Sequence, residues 1–303
     1  MNQITAVVTG GTGFVGSSLV RALLARGATV RIITSSTAAR NRVANISSQV
    51  TWWTTSDDDL DAALRDATHL FNFAVAYDRP TIDDETLCAV NVLLPLRIVR
   101  RLQASGLNTT CVFGDTFFRK YPPEATRQPR YTRSKTDLAL RLQEMAASAS
   151  VAGVRLALLQ IEQVYGPGES FTKVFPHMTR QMLENTPRIA ATHGLQQRDF
   201  IHVNDVVAAA LTVADSDWQG LQRVECGTGI STSVREVLTR LKALTRSSSV
   251  LGFGDLSADQ SIDISCADTT WLHSRGWKAG VALEDGLAEL VGDVSARLGA
   301  AAS

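Results

Sequence analysis

The chain has no surplus of either charge: thirty Lys and Arg side chains balance thirty Asp and Glu over 303 residues. Such a balance supplies no net field toward nucleic acid or an anionic membrane, so neither is an expected partner and a small molecule is. Cysteine is scarce too. Cys88, Cys111, Cys226 and Cys266 form no C-x-x-C pair and have no His at ligand spacing, which argues against a disulfide framework or a zinc site and predicts buried thiols. His69, His177, His193, His202 and His273 are also not spaced as ligands, so no metal is expected. No uninterrupted apolar run reaches the roughly 18 residues of a membrane span. The chain opens directly into Ile4-Thr5-Ala6-Val7-Val8 without a basic segment and an apolar signal core, which predicts a cytoplasmic protein.

What the sequence does contain is core. Hydrophobic side chains make up 45% of it, enough for two unequal lobes. Strand-length apolar runs alternate with longer amphipathic segments through the first half, the pattern of βαβ units in a doubly wound α/β parallel sheet. The runs are Ala6–Val8, Val30–Ile33, Val50–Trp53, His69–Phe73, Thr110–Phe113 and Arg155–Leu159. Helices are expected over Ser17–Arg26, Leu60–Leu64, Val90–Gln103 and Lys135–Ala147. After Val164 the alternation breaks at Tyr165-Gly166-Pro167-Gly168, and the helical stretch Lys173–Glu184 is read with no strand directly after it. Further helices are expected over Asp205–Ala214, Ser233–Leu244 and Leu283–Leu298. The expected division is a dinucleotide-binding domain over 1–165 with a return segment 196–226, and a smaller mixed α/β lobe over 166–195 and 227–303.

Thr9-Gly10-Gly11-Thr12-Gly13-Phe14-Val15-Gly16 follows the first strand and opens the first helix, the context of a dinucleotide fingerprint. Gly10 permits the tight turn, Gly13 admits the pyrophosphate to the backbone, and Gly16 lets helix and strand approach. Thr12, Phe14 and Val15 offer N–H groups at the helix start. An acid at the end of the second strand would hold a ribose 2′-hydroxyl and repel a 2′-phosphate. That place holds Thr34-Ser35-Ser36 with Arg40 close behind, which favours NADP(H) over NAD(H). Arg40 as a solvated helix residue is the plain alternative.

Tyr131-Thr132-Arg133-Ser134-Lys135 places a phenol and an ammonium four residues apart, on one face of a helix. The ammonium is expected to lower the phenol from its usual value near ~10, so that Tyr131 can exchange a proton with a substrate oxygen. Thr116 ends the fifth strand, at the sheet edge where open α/β folds bind ligands, and can hydrogen-bond the reacting carbonyl; a capping hydroxyl is the alternative.

Together these elements resemble an extended short-chain dehydrogenase/reductase, the family of nucleotide-sugar epimerases, dehydratases and reductases. Val164–Gly168, Gln197–Val206, Cys226–Gly229 and Gly276–Lys278 continue the likeness in order, over nearly the whole chain. Asp115–Phe118 and Ile161–Gly168 are most similar to the CDP-abequose and CDP-paratose synthases, NADPH-dependent 4-ketoreductases of CDP-4-keto-3,6-dideoxyhexoses. The resemblance implies cofactor contacts at Asp57, Ala74, Tyr131 and Lys135, the last on the nicotinamide ribose. It implies substrate contacts at Tyr77, Thr116, Phe117, Glu162 and Lys173, and a diphosphate contact at Arg198, for which an ion pair with Asp199 or Asp205 is the alternative. It also implies a homodimer and a place in deoxysugar biosynthesis, as for a lipopolysaccharide O-antigen. Two departures stand out: Asn72 where many relatives have His, and Gln160 where a strand Arg is usual.

A 4,6-dehydratase needs an acid and a base beyond the tyrosine, and relatives of that kind place Asp-Glu after the Thr. Phe117-Phe118 cannot transfer protons there, which argues against dehydration. The expected reaction is reduction of a sugar 4-ketone on CDP or dTDP. A C4-epimerase with retained NAD is the alternative, and a non-catalytic dinucleotide sensor is an alternative of another class. An enzyme of free carbonyls such as flavonoids or steroids is opposed by Arg198.

Overall fold

The computed structural model describes residues 3–35, 40–147, 153–257 and 262–302. Its first strands and helices follow the predicted alternation: β1 (Thr5–Thr9), α1 (Phe14–Ala25), β2 (Thr29–Ile33), β3 (Thr51–Trp53), α2 (Asp57–Leu64) and β4 (His69–Asn72). Then come α3 (Asp84–Cys88), α4 (Leu94–Ser105), β5 (Thr109–Thr116), α5 (Pro129–Ala147) and β6 (Val154–Ile161), with a π-turn over Ala89–Leu93 joining α3 to α4. All five residues of β1 are buried, as expected of a central parallel strand covered on both faces. Local chemistry sets the helix ends. Ser56 caps α2 by accepting from Asp59 N, with Asp57, Asp58 and Asp59 in the first turn where the dipole favours them. Gly106 ends α4 in the left-handed conformation at φ 69°.

The rest of the chain forms β7 (Gln163–Tyr165), α6 (Val174–Leu183), β8 (Arg188–Ala191), β9 (Gln197–His202), α7 (Val203–Asp215) and β10 (Leu221–Cys226). It ends with β11 (Ser231–Ser233), α8 (Val234–Thr245), β12 (Val250–Phe253), α9 (Thr270–His273) and α10 (Leu283–Ala302). Two compact units result, one of residues 1–161 and 207–225, the other of 162–206 and 226–303.

The first unit is built on a seven-stranded parallel sheet in the order β10-β6-β5-β4-β1-β2-β3. β1 lies between β2 and β4, so the order reverses there, and the carboxyl ends of these strands mark the switch point where ligands bind in open α/β sheets. Val7, Ile33, Leu70, Cys111, Phe113, Leu156 and Leu158 form one core with α2, α4 and α5.

In the second unit β9 runs parallel to β7 and antiparallel to β11, while β8 and β12 pair in parallel. Tyr165, Phe175, Met182, Ile189, Phe200, Leu241, Leu287 and Leu290 fill its core. Two differences from the sequence expectation arise here. A strand does follow α6: β8 alternates exposed and buried residues, and its four-residue Arg-Ile-Ala-Ala run is too short and too weakly apolar to stand out. The segment returning to the first unit is 207–225 instead of 196–226, because β9 pairs with β7 from Gln163↔Phe200 to Tyr165↔His202.

Cys111 and Cys226 are buried as expected and Cys88 partly so, but Cys266 is exposed. Among the described residues no helix is long and apolar enough to cross a membrane, and no cluster of three His, Cys, Asp or Glu could hold a metal.

Candidate active site

Gly10 turns the chain out of β1 at φ +70°, a value that favours glycine, and a Cβ there would stand 2.4 Å from Ala74 N. A Cβ at Gly16 would fall 2.1 Å from the Gly10 carbonyl oxygen, so the loop is wound tightly onto the first turn of α1. Gly13 caps α1 with extended backbone and no side-chain hydrogen bond, which leaves the helix start shaped for an anion. Thr12, Gly13, Phe14 and Val15 are half-buried around it, and Ala74 is half-buried opposite Gly10. These residues fit a dinucleotide pyrophosphate. Thr9 Oγ1 donates to Asn72 Oδ1 at 2.7 Å, tying together the tips of β1 and β4.

At the end of β2, Thr34 N donates to the Trp53 carbonyl at 3.0 Å, and Ser35 is exposed. The third residue of that triplet, Ser36, lies outside the described residues. Arg40 is exposed, and its guanidinium stacks 4.0 Å above the Trp52 ring, so the cation is held beside β3. Asp57 stands at the first position of α2, where Arg97 and Arg101 each reach its carboxylate at 2.5 Å. The Arg97 hydrogen bond and charge hold that carboxyl below its usual range.

The first two turns of α5 carry Tyr131 and Lys135. Tyr131 is 6% exposed, and its ring lies 5.3 Å from that of Tyr77, tilted by 44°. Burial pushes its phenol well above the ordinary value, Tyr77 and Asp115 push the same way, and a hydrogen bond with Thr116 opposes them. Lys135 donates from Nζ to the Gly114 carbonyl at 2.7 Å and lies 5.9 Å from the Tyr131 ring. Burial lowers its ammonium to about 8, against the Asp115 carboxylate, which raises it. Burial thus pushes the Tyr131 phenol in the direction opposite to the one expected of Lys135 alone.

Thr116 ends β5 and accepts from Phe118 N at 3.3 Å, so its hydroxyl both caps the following turn and meets Tyr131. Phe117 and Phe118 pack ring to ring at 4.4 Å. Asp115 is gripped by Arg119, with Nε at 3.0 and 2.7 Å from its two oxygens and Nη2 at 2.6 Å.

Three contributions escaped the sequence reading. Asn91, inside the π-turn, accepts from Ala76 N at 2.9 Å and donates to Ala76 O at 2.8 Å and Ser134 Oγ at 2.9 Å. A buried Asn in an otherwise apolar helical stripe was the available signal. The Asp78–Arg130 pair and the Asp115–Arg119 pair were the others. Only the latter, four residues apart, has a recognisable spacing.

In the second unit Glu162 is buried and accepts from Ser265 Oγ at 2.6 Å. Arg198 is 6% exposed, and its guanidinium donates to the Gln197 carbonyl at 2.6 Å and the Ile262 carbonyl at 3.0 Å. Asp199 and Asp205 answer to backbone N–H groups: Asp199 accepts from Thr228, Gly229 and Ala267, and Asp205 from Gly280 and Val281. Lys173 stands half-buried at the cap of α6.

The family model described as NAD dependent epimerase/dehydratase family matches residues 6–227. CDP-abequose synthase of Salmonella muenchen is 30% identical over 295 residues, covering 94% of this chain and 96% of that protein. The structure of UDP-glucose 4-epimerase with UDP-glucose from Thermotoga maritima superposes with TM-score 0.82 at 22% identity, over 97% of this chain and 100% of that one. The UDP-glucose 4-epimerase of Thermus thermophilus in complex with NAD gives 0.79 at 23% identity, over 96% and 99%.

Proposed function

Because the chain belongs to the NAD dependent epimerase/dehydratase family, we propose that it is an NADP(H)-dependent reductase of the 4-keto group of a CDP- or dTDP-linked deoxyhexose. The observation that carries this reading is the likeness to CDP-abequose synthase, 30% identical along nearly the whole of both chains. Phe117 and Phe118, packed ring to ring directly after Thr116, add no proton-transferring group there, which supports a reaction that needs a single acid. A phenol that burial keeps protonated is compatible with giving a proton to a ketone oxygen.

NADPH, when bound, would supply the hydride. Tyr131 gives the proton to the sugar oxygen, and Thr116 stabilises the charge developing on that oxygen. Lys135 would hold the cofactor's nicotinamide ribose, and Arg40 its 2′-phosphate. Arg198 is assigned to the diphosphate, because its two carbonyl bonds keep a planar fork in one orientation. Tyr77, Phe117, Glu162 and Lys173 are assigned to the remaining substrate contacts. The identity of one relative as a CDP-abequose synthase supports the CDP-linked substrate. A cytoplasmic homodimer belongs to the same reading.

The test is NADPH absorbance followed against a panel of CDP-, dTDP-, GDP- and UDP-linked 4-keto sugars. Oxidation with the CDP or dTDP members is expected. Interconversion of unreduced nucleotide hexoses without NADPH consumption would replace the reductase with an epimerase, and no turnover of any kind would leave a dinucleotide sensor.

A further inference from the structure

Tyr77 lies on the irregular segment that leaves β4, and this segment is fastened to α5 on both sides of it. Before Tyr77, Ala76 is held through both its backbone groups by Asn91, which passes on to Ser134. After Tyr77, the Asp78 carboxylate receives three bonds from Arg130: backbone N at 3.1 Å, Nε at 2.8 Å and Nη2 at 2.7 Å. The same guanidinium reaches Asp84 Oδ1 at 3.0 Å and the Arg79 carbonyl at 3.2 Å. Arg130 directly precedes Tyr131, whose ring meets Tyr77.

We infer that Asp78 and Arg130 are positioning residues that clamp Tyr77 against Tyr131 and so fix the direction in which the catalytic phenol points. An ordinary exposed ion pair contributes little, since two long side chains lose freedom for a screened attraction. This pair differs in two ways. The Asp78 side chain is only 15% exposed. Its partner is a planar fork reinforced by a backbone N–H, so the geometry is specified by several bonds at once. The aromatic contact it maintains constrains the Tyr131 ring from the side that the segment after β4 covers, while Thr116 meets the hydroxyl. Proton donation tolerates little misplacement of the donor, which makes the clamp kinetically visible. The inference rests on Tyr131 being the proton donor, as proposed above.

Four tyrosines in the chain allow their ring resonances to be resolved in ¹³C-tyrosine-labelled protein without any substrate. Asp78→Asn is expected to move the Tyr131 resonances in the direction that Tyr77→Leu does. With NADPH and a CDP-linked 4-keto-3,6-dideoxyhexose it should lower kcat by about tenfold to a hundredfold, with KM for NADPH unchanged. Added to Tyr77→Leu, it should cost nothing further. Arg130→Lys, which keeps the charge but not the fork, serves as the second variant and should show the same kcat loss and the same resonance shift. Unmoved Tyr131 resonances, or losses that multiply in the double variant, overturn the positioning role. Retained turnover in Tyr131→Phe would instead overturn the reductase reading, while the resonance shift still reports on the clamp.

Discussion

Lys135 donates from Nζ to the carbonyl oxygen of Gly114 at 2.7 Å, two residues before the threonine that meets the phenol of Tyr131. One strand end therefore holds the ammonium of the Tyr–Lys pair through a backbone oxygen and sets a threonine hydroxyl beside the phenol. The ammonium is fully enclosed and lowered to about 8, so the fold holds it at the expense of its hydration.

Replacing Lys135 with Met is expected to remove that cost. The ammonium binds its proton less tightly in the folded chain than in the unfolded one, so below pH 8 its burial as a cation opposes folding. The Tm at pH 7 should rise by about 2–4 °C for each 1 kcal/mol recovered, while turnover is lost. Differential scanning calorimetry alongside NADPH oxidation checks both halves; a lower Tm would contradict the first.

Tyr131→Phe removes only the phenolic oxygen from a buried site. Turnover should fall by about a hundredfold or more, whereas NADPH binding, followed by its fluorescence, should be retained. A variant with unchanged turnover removes Tyr131 from its role.

Arg40 is held on the Trp52 ring beside the end of β2, where no acid stands. Arg40→Gln is expected to weaken NADPH about tenfold, in keeping with the loss of one charge-assisted hydrogen bond, and to leave NADH unaffected. Trp52→Leu should act in the same direction and less strongly. Equal weakening of both nucleotides would place Arg40 away from the 2′-phosphate.

Glu169 is buried, and burial raises its carboxyl to about 8, against the charge of Lys173. Its folded value lies above the unfolded one, so the folded chain binds more protons between about 4.5 and 8, and stability falls as pH rises through that window. Glu169→Gln, which cannot ionise, should flatten the decline in Tm over this range and melt higher than the parent at pH 8. A parallel decline in both proteins would show that other groups set the slope.

Of the six strands Ala6–Val8 through Arg155–Leu159, β1, β4, β5 and β6 were legible because central parallel strands bury both faces and read as apolar runs, whereas β3, at the sheet edge and at most half-buried, was legible only from its β-branched and aromatic composition. The glycine loop and the Tyr–Lys pair were legible because a turn and a helix fix their spacing locally. Other features depend on tertiary position. Asp78 and Arg130 are separated by 52 residues, and no local pattern announces their meeting. The direction in which burial pushes the Tyr131 phenol was not legible, because a sequence displays the neighbouring cation but not the enclosure. β8 was missed because its short alternating run becomes a strand only by pairing with β12, more than fifty residues later.

The position of β10 in the sheet has a consequence for how the chain is made. It lies beside β6, yet the segment joining them, 162–220, first builds much of the second unit. A nascent chain that has delivered β1 to β6 thus carries an unpaired strand edge until residues 221–226 emerge, and parallel pairing over such separations forms slowly. Holding that edge against self-association during synthesis is a demand that the finished sheet no longer displays.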